Sequence, residues 1–367
     1  MTDREREIFT LIQKNPMISH EEIAGMLGIS RSTVAVHIAS IMRQGYIAGK
    51  GYVISEKYAV VLGVAIMDVF GFYGGPILSH SKNPDGNVKI ASGGAARNIA
   101  ENLARLGFGV KFLSVVGDDT FGHQLLNDCQ KAGMDISGVK VINDLPTATY
   151  LCLVDQNGDQ VADLTAAQIQ AQQTIEFYEE RAHLIANAQA IVMTAEAVPG
   201  VVRWLHDTFP HIPIYSDVAS LTAADSYRSN LPYYHFLKMN LYEAAAITGI
   251  DPDLAIAPER FAQNILDRGV KEVLITLGES GAYYQSGSYK LFKAALPLHK
   301  VINSSGAGDA FTAGFLYGVL NQQSPEKALD YALAASWLTC QHPASIDPGI
   351  TISRIQEVLQ DSRNSHD

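Results

Sequence analysis

Asn303-Ser304-Ser305-Gly306-Ala307-Gly308-Asp309-Ala310-Phe311-Thr312-Ala313-Gly314-Phe315 runs from small residues into an apolar stretch that continues to Leu320. Small residues let a backbone approach an anion closely. The apolar run reads as a helix, Gly308–Leu320, whose N-terminus points at the same place. Its free N–H groups and its dipole favour a phosphate there. Asp309, at the head of that helix, is placed to accept a proton from an attacking hydroxyl. A base beside a donor nest, here Gly306, Ala307 and Gly308, is what a small-molecule kinase needs. The plain alternative is a Gly-rich turn opening a packed helix. No GxxxxGK[ST] segment occurs, so a P-loop has no support.

Outward from this stretch, short apolar runs alternate with amphipathic ones. Residues 58–67, 110–116, 149–155, 190–194, 212–216, 236–239 and 272–277 read as strands. Residues 95–106, 124–132, 201–208, 241–248 and 258–268 read as helices between them. This alternation predicts an α/β fold, a mostly parallel sheet covered by helices. Gln156-Asn157-Gly158-Asp159 is turn-like between two strand-like runs and predicts a small antiparallel hairpin.

The chain has 367 residues, 47% apolar and 18% charged, with a net charge of −11. A sizeable core is available and general disorder is excluded. Cys129, Cys152 and Cys340 lie far apart, which predicts no disulfide framework and no structural zinc, and suits a reducing cytoplasm. MTDREREIF has no apolar signal-peptide core, and the longest apolar run, residues 58–67, is too short to span a bilayer. The expectation is therefore a cytoplasmic protein with no membrane partner.

Net acidity argues against nucleic-acid binding only as an average. Residues 1–57 carry seven basic residues (Arg4, Arg6, Lys14, Arg31, Arg43, Lys50, Lys57) and six acidic ones (Asp3, Glu5, Glu7, Glu21, Glu22, Glu56), a local charge of +1 that leaves −12 for the rest. Ile8, Leu11 and Ile12 share a helical face. Ser19 and Glu22 form a capping-box pattern for a second helix. Gly28-Ile29-Ser30 is a short turn, and Val34, Ile38, Ile41 and Met42 pattern a third helix. Residues 45–54, with Gly49 and Gly51, suit a hairpin. These elements resemble a winged helix-turn-helix, whose third helix would enter the major groove by its N-terminal end. That predicts Arg31, Ser32, Thr33 and His37 near bases or phosphates, with Arg43 and Lys50 toward the backbone. The division expected is a DNA-binding domain over 1–57 and a second domain over 58–367, in contact because no spacer separates them. A module for protein contact is the plain alternative.

The Gly-Ala-Gly-Asp segment resembles the C-terminal signature of the PfkB (ribokinase-like) carbohydrate kinases, and further segments match that family in order. Gly63 to Asp68 looks like the first strand ending in the sugar-binding aspartate. Gly93-Gly94-Ala95-Ala96-Arg97-Asn98 looks like the N-terminal signature, where glycines and Asn98 approach sugar hydroxyls. Asn240-Leu241-Tyr242-Glu243 looks like the motif that organises Mg²⁺ and phosphates, with Glu243 reaching the metal through water. Residues 276–281, with Thr276, Gly278 and Gly281, look like the turn lining the ATP groove. The resemblance implies a ribokinase-like sheet with a small β lid, ATP and Mg²⁺ as cofactors, Asp309 as catalytic base and a homodimer contact at the lid. Arg97-Asn98 and Asp217-Val218-Ala219-Ser220 are similar to the pseudouridine kinase branch, which implies phosphorylation of a nucleoside 5′-hydroxyl. Arg97 would contact the substrate or pair with a helix carboxylate. Thr147, Thr149 and Tyr150 begin the lid hairpin. Ile66 stands where the branch often has Asn. Asn303 stands where many members carry a cation-binding Asp; a neutral amide binds a cation less well, which argues against strong K⁺ activation. Kept open are another substrate (a purine nucleoside, ribose or a fructose derivative) and a nucleoside- or sugar-sensing regulator without catalysis.

Overall fold

Ile8 and Ile12 on one helix, Ile23 on a second and Val34, Ile38 and Ile41 on a third close a small core of their own. The structure, a computed structural model, describes residues 1–47, 57–73, 86–155, 159–195, 198–251, 257–298 and 300–364. The chain divides into two units, Met1–Lys57 and Tyr58–Asp367. In the first unit the helices are α1 (Asp3–Lys14), α2 (His20–Leu27) and α3 (Arg31–Arg43). Capping boxes start α1 (Thr2 with Glu5) and α2 (Ser19 with Glu22), and Ser30 caps α3. Gly28, at φ +64°, ends α2 in a left-handed conformation, and α3 starts three residues on. Met42, expected with the apolar face of α3, is instead 40% exposed, because the core closes at Ile41. The expected hairpin of residues 45–54 lies outside the described residues from Ala48 onward.

The second unit carries strands β1 (Tyr58–Leu62), β2 (Ile66–Tyr73), β3 (Gly86–Gly93), β4 (Gly109–Leu113), β5 (Val115–Gly117), β6 (Lys140–Ile142), β7 (Thr149–Val154) and β8 (Gln160–Ala166). These are followed by β9 (Ala190–Met193), β10 (Ile214–Asp217), β11 (Phe236–Asn240), β12 (Glu272–Thr276), β13 (Ala282–Ser286) and β14 (Tyr289–Lys293). The main sheet runs β14-β13-β12-β11-β10-β9-β1-β4. It is parallel from β4 to β12 and antiparallel at the β13–β14 edge. Apolar clusters cover both faces, so the inner strands read as continuous hydrophobic runs rather than alternating ones. A second sheet, β3-β2-β7-β8, forms a lid, and β5–β6 is a small parallel pair.

Two expected strands are corrected. Residues 58–67 do not form one strand. β1 ends at Leu62, because Gly63 at φ +146° brings Ala96 Cβ within 2.5 Å of where a Cβ on Gly63 would lie. The chain then leaves the main sheet, and Ile66 and Asp68 belong to the lid strand β2. Residues 110–116 likewise split into β4 and β5 at Ser114. The expected hairpin is present as β7–β8, but it extends a four-stranded lid. Its strand β3 is almost wholly exposed and so carries no apolar period to read.

The helix Ala307–Leu320 lies on the main sheet and on the helix Pro325–Cys340. Gly318 lets Ala328 come within 2.5 Å of where its Cβ would lie, a closeness that a larger residue forbids. On the sheet side Phe315 stacks on Phe236, with ring centroids 5.0 Å apart. Phe315 is 1% exposed. Phe315→Ala should cost about 3–5 kcal/mol, read as a lowered urea midpoint with an unchanged m-value.

Candidate active site

Parallel strands place their carboxyl ends along one rim, the usual ligand edge of an open α/β sheet. Gly63 follows β1, Asp217 ends β10, Asn240 ends β11 and Thr276 ends β12. Register pairs Asp217 with Lys238 and Asn240 with Thr276 on neighbouring strands. Asp217 and Lys238 therefore share a face. Lys238, 7% exposed, donates to both Asp217 oxygens at 3.0 Å. Thr312 Oγ1 donates to Asp217 Oδ2 at 2.6 Å. Burial alone would lower the Lys238 pKa, but the Asp217 carboxylate overrides it and holds the ammonium above its ordinary value. Sequence reading missed Lys238 and Thr312. The available signal was a lysine inside the buried run 236–239, where only a paired charge is tolerable.

This ion pair lies under the head of the helix Ala307–Leu320. A Cβ on Gly308 would sit 3.1 Å from Lys238 Nζ. Gly306 caps the helix at φ +78°, and a Cβ there would lie 1.9 Å from the Ser345 carbonyl oxygen. Both glycines are thus demanded by close approach, and the helix N–H groups open beside a buried ammonium.

Asp309 receives the Asn98 Nδ2 amide at 2.8 Å. Burial first and then the Asp217 charge push its carboxyl up to about 7, against lowering by Asn98, Lys238 and Arg97. Asp68 lies on β2 opposite Ala91, and its carboxylate reaches along to Gly93, where a Cβ would be 2.0 Å from Oδ2. Burial raises Asp68 to about 6, opposed by Arg97. Gly94, at φ +94°, brings its backbone against the Val64 carbonyl. The structure therefore gathers Asp68, Gly93, Gly94, Asn98, Asp309 and the 306–308 turn around one place. Arg97 is turned into the protein. It bonds Glu101, the Ser92 carbonyl at 2.7 Å and Asn98 Oδ1 at 3.0 Å. Of its two readings, the helix carboxylate is the one the structure pairs with it.

Asn240 and Glu243 form a capping box on the helix Leu241–Thr248. The Asn240 N–H donates to Glu243 Oε2 at 2.7 Å, and the Glu243 N–H donates to Asn240 Oδ1 at 2.9 Å. Glu243 is buried and its pKa is raised by that burial, against lowering by the Asn240 N–H and Lys238. Thr276 Oγ1 donates to the Met239 carbonyl at 3.4 Å. Gly278 has open space around it, and Gly281 packs on the Lys293 carbonyl. The Asn303 amide is used locally, accepting from Ser305 N–H at 2.9 Å and donating to the Pro343 carbonyl at 3.3 Å. Among the described residues no three His, Cys, Asp or Glu side chains cluster to hold a metal.

Register also sorts the lid's faces. Phe70, Phe72, Tyr150 and Cys152 share the Asp68 face, with Phe70 at 6.4 Å from Phe72 and 6.2 Å from Tyr150 between centroids. Phe70 and Phe72 were not singled out from sequence. The opposite face exposes Val88, Ile90, Leu151, Leu153 and Leu164. Thr147 is buried and donates to Asp119 at 2.6 Å, while Thr149 donates to the Thr147 carbonyl. In the first unit Arg31, Ser32 and Thr33 are exposed at the head of α3, and His37 is half-buried. The Ser32 and Thr33 hydroxyls meet Ser30 Oγ at 2.7 and 2.8 Å. Val36, missed from sequence, is 65% exposed on the same helix.

Comparison with known proteins places this architecture. Residues 56–352 match the model of the pfkB family carbohydrate kinases, and residues 1–48 match a winged helix-turn-helix DNA-binding model. An uncharacterized sugar kinase of Escherichia coli K12, YeiI, is 33% identical over 92% of this chain and 93% of its own length. Pseudouridine kinase of the same strain is 27% identical over 84% of this chain and 98% of its own. A sugar kinase structure from Clostridium perfringens superposes with a TM-score of 0.74 at 28% identity, covering 84% of this chain and 96% of that one. The Arabidopsis thaliana ribokinase solved with ribose and ATP gives 0.75 at 20% identity, over 84% and 99%. The fold of the second unit is ribokinase-like. No described helix is long and apolar enough to cross a membrane.

The raised Asp309 carboxyl has a consequence for stability. Its folded value of about 7 exceeds the ordinary 3.8, so the native state prefers the protonated acid. The stability this contributes is complete below about pH 4 and disappears as pH rises through about 7. Asp309→Asn should therefore match the parent's urea midpoint at pH 4 and exceed it at pH 8.

Proposed function

The chain belongs to the pfkB family of carbohydrate kinases and carries a winged helix-turn-helix ahead of the kinase fold; from that premise we propose that it transfers the γ-phosphoryl group of ATP to a nucleoside 5′-hydroxyl, with pseudouridine as the substrate. The observation carrying this reading is Asp309, hydrogen-bonded to Asn98 at the head of a glycine-capped helix whose first turn lies over Lys238. Asp309 accepts the proton of the attacking hydroxyl. The Gly306 and Gly308 N–H groups and the Lys238 ammonium face the charge that builds on the transferred group, with the Ala307 N–H shared with the Ser304 carbonyl at 3.3 Å. Asp68 accepts hydrogen bonds from two sugar hydroxyls, and the Gly93-Gly94 backbone closes on the same ring. No covalent intermediate is needed; positioning and electrostatics suffice.

ATP supplies the phosphoryl group, and Mg²⁺ spreads its negative charge. The residues present fit both. The helix head leaves N–H donors and glycine-sized room, and Glu243, with Oε2 engaged by Asn240, keeps Oε1 to hold a metal-bound water. Thr276, Gly278 and Gly281 line the nucleotide's approach at the β12 end of the rim. The spent amide of Asn303 supports weak or no K⁺ dependence.

Three features support a nucleoside and this nucleoside. The Asp68 face of the lid carries Phe70, Phe72 and Tyr150, a wall suited to a planar base. Arg97-Asn98 stands in the glycine signature. The pseudouridine kinase relative matches over nearly its whole length. The reading includes a cytoplasmic homodimer, its partner copy covering the apolar outer lid face of Val88, Ile90, Leu151, Leu153 and Leu164. The DNA-binding role falls to Arg31, Ser32, Thr33 and His37, and the exposed Val36 is available to a thymine methyl.

In a coupled ADP-release assay over pseudouridine, uridine, purine nucleosides, ribose and fructose, the highest kcat/KM should fall on pseudouridine, and Asp309→Asn should remove turnover while nucleoside binding persists. ADP release with none of them would favour the sensing regulator; near-normal kcat in Asp309→Asn would exclude the base. The Arg31→Ala/Thr33→Ala double variant should lose DNA retention at least tenfold. Unchanged affinity would leave the first unit as a protein-contact module.

A further inference from the structure

An amide side chain is symmetric in shape, so neighbours decide which end accepts and which donates. Asn98 lies between two charged groups that settle this. Arg97 Nη1 donates to one end at 3.0 Å, and Asp309 Oδ2 lies 2.8 Å from the other. A guanidinium has no acceptor, so the end facing Arg97 is the oxygen. The end facing Asp309 is then the N–H, which a carboxylate requires. Arg97 is itself held without freedom. It is 3% exposed, its Nη1 also donates to the Ser92 carbonyl at 2.7 Å, and its other terminal nitrogen bonds Glu101. Glu101, 5% exposed, is held in turn by Arg105 Nε at 2.8 Å.

We propose that Arg97 is a positioning residue that locks the Asn98 amide with its N–H toward Asp309, Glu101 and Arg105 holding Arg97 in that pose. This rests on the base role given to Asp309. It removes Arg97 from the set that touches substrate, where its place in the glycine signature had put it. The relay Arg105–Glu101–Arg97–Asn98–Asp309 runs along one helix face in four-residue steps from Arg105 to Arg97, passes to the neighbouring Asn98 through Nη1, and crosses to the catalytic helix at its last link. The pair also brings a positive charge near a carboxylate that burial and Asp217 push toward protonation. The charged groups around Asp309 are Asp217 from β10, Lys238 from β11 and Arg97 from the helix Ala95–Arg105. Two of the three favour the ionised base, and only Arg97 does so with a hydrogen-bonded intermediary as well.

The test is the pH profile of kcat for the full chain. Arg97→Met should move the acid limb up by about one unit, so that turnover below the limb falls about tenfold, with the nucleoside KM changed less than threefold. Asn98→Ala should move the limb comparably. The double variant should shift by clearly less than the sum of the two single shifts, since part of the arginine's effect passes through the amide. Arg97→Met leaves Glu101 buried opposite one partner fewer, so Arg97→Met/Glu101→Met serves if the single variant does not fold; it removes both charges and should give the same shift. Arg97→Lys, which keeps the charge, should recover part of it. A raised KM with an unmoved limb would return Arg97 to the substrate pocket. Additive shifts in the double variant would make its effect independent of Asn98. Either overturns the proposal while Asp309→Asn stays inactive. Turnover surviving in Asp309→Asn instead fails the base reading itself.

Discussion

The Asp217–Lys238 ion pair, sealed by the Thr312 hydroxyl, is the constraint around which the active rim is built. A buried pair is poor value as stability: desolvating two charges cancels most of their attraction, and apolar replacements often do as well. Its placement gives it another use. Asp217 and Lys238 are register partners at the ends of adjacent parallel strands, and Thr312 and Phe315 lie on the helix face that meets them. The stack from Phe236–Phe315 through Asp217–Thr312 to Lys238–Gly308 fixes the helix Ala307–Leu320 in rotation and height over β10 and β11. Once the helix is seated there, its N-terminal N–H groups, Gly306 and Asp309 have no freedom in where they point.

The same seating explains why two carboxylates of the site are pulled toward neutrality. Asp68 comes from the lid strand β2 and Asp309 from the first turn of the helix Ala307–Leu320, and both are raised by burial, to about 6 and about 7. A base with a value near the operating pH combines an ionised population with a worthwhile affinity for the proton. Lys238 and Arg97 keep Asp309 from rising further, and Asp217, which anchors Lys238, pushes the other way. The anchor of the helix and the tuning of the Asp309 carboxyl are thus one arrangement of charges.

Much of this was legible in the residues. The helix Leu241–Thr248 and the helix Val201–Thr208 begin and end where their patterns predict, since caps and turns are local signals. The 306–309 turn was legible because glycine announces close approach. What escaped has a physical reason in each case. Residues 58–67 form one apolar run, and only the packing of Ala96 on Gly63 shows that the chain turns out of the sheet there. β2 and β3 carry one face to the site and the other to the surface, so burial imposes no clean period on them. Lys238 is a long-range matter, and for Arg97 the local helix-carboxylate pairing was one of two readings that only its burial decides. Lys238 looks like an ordinary basic residue until Asp217 is known to stand against it.

The charge balance of the chain follows from that distinction. A body with a net charge of −12 repels a nucleoside triphosphate at long range, so recognition has to be local. Here it is local in two ways. Backbone N–H groups at a helix head carry partial positive charge without a side chain, and the Lys238 ammonium lies beneath that head with Asp217 as its counter-ion. A triphosphate brought in with Mg²⁺ carries less net charge than a bare one, which lowers the repulsion it meets. An acidic surface also discourages nucleic acid from occupying the kinase rim, whereas the unit that matches a winged helix-turn-helix model is near neutral and exposes Arg31 at a helix head.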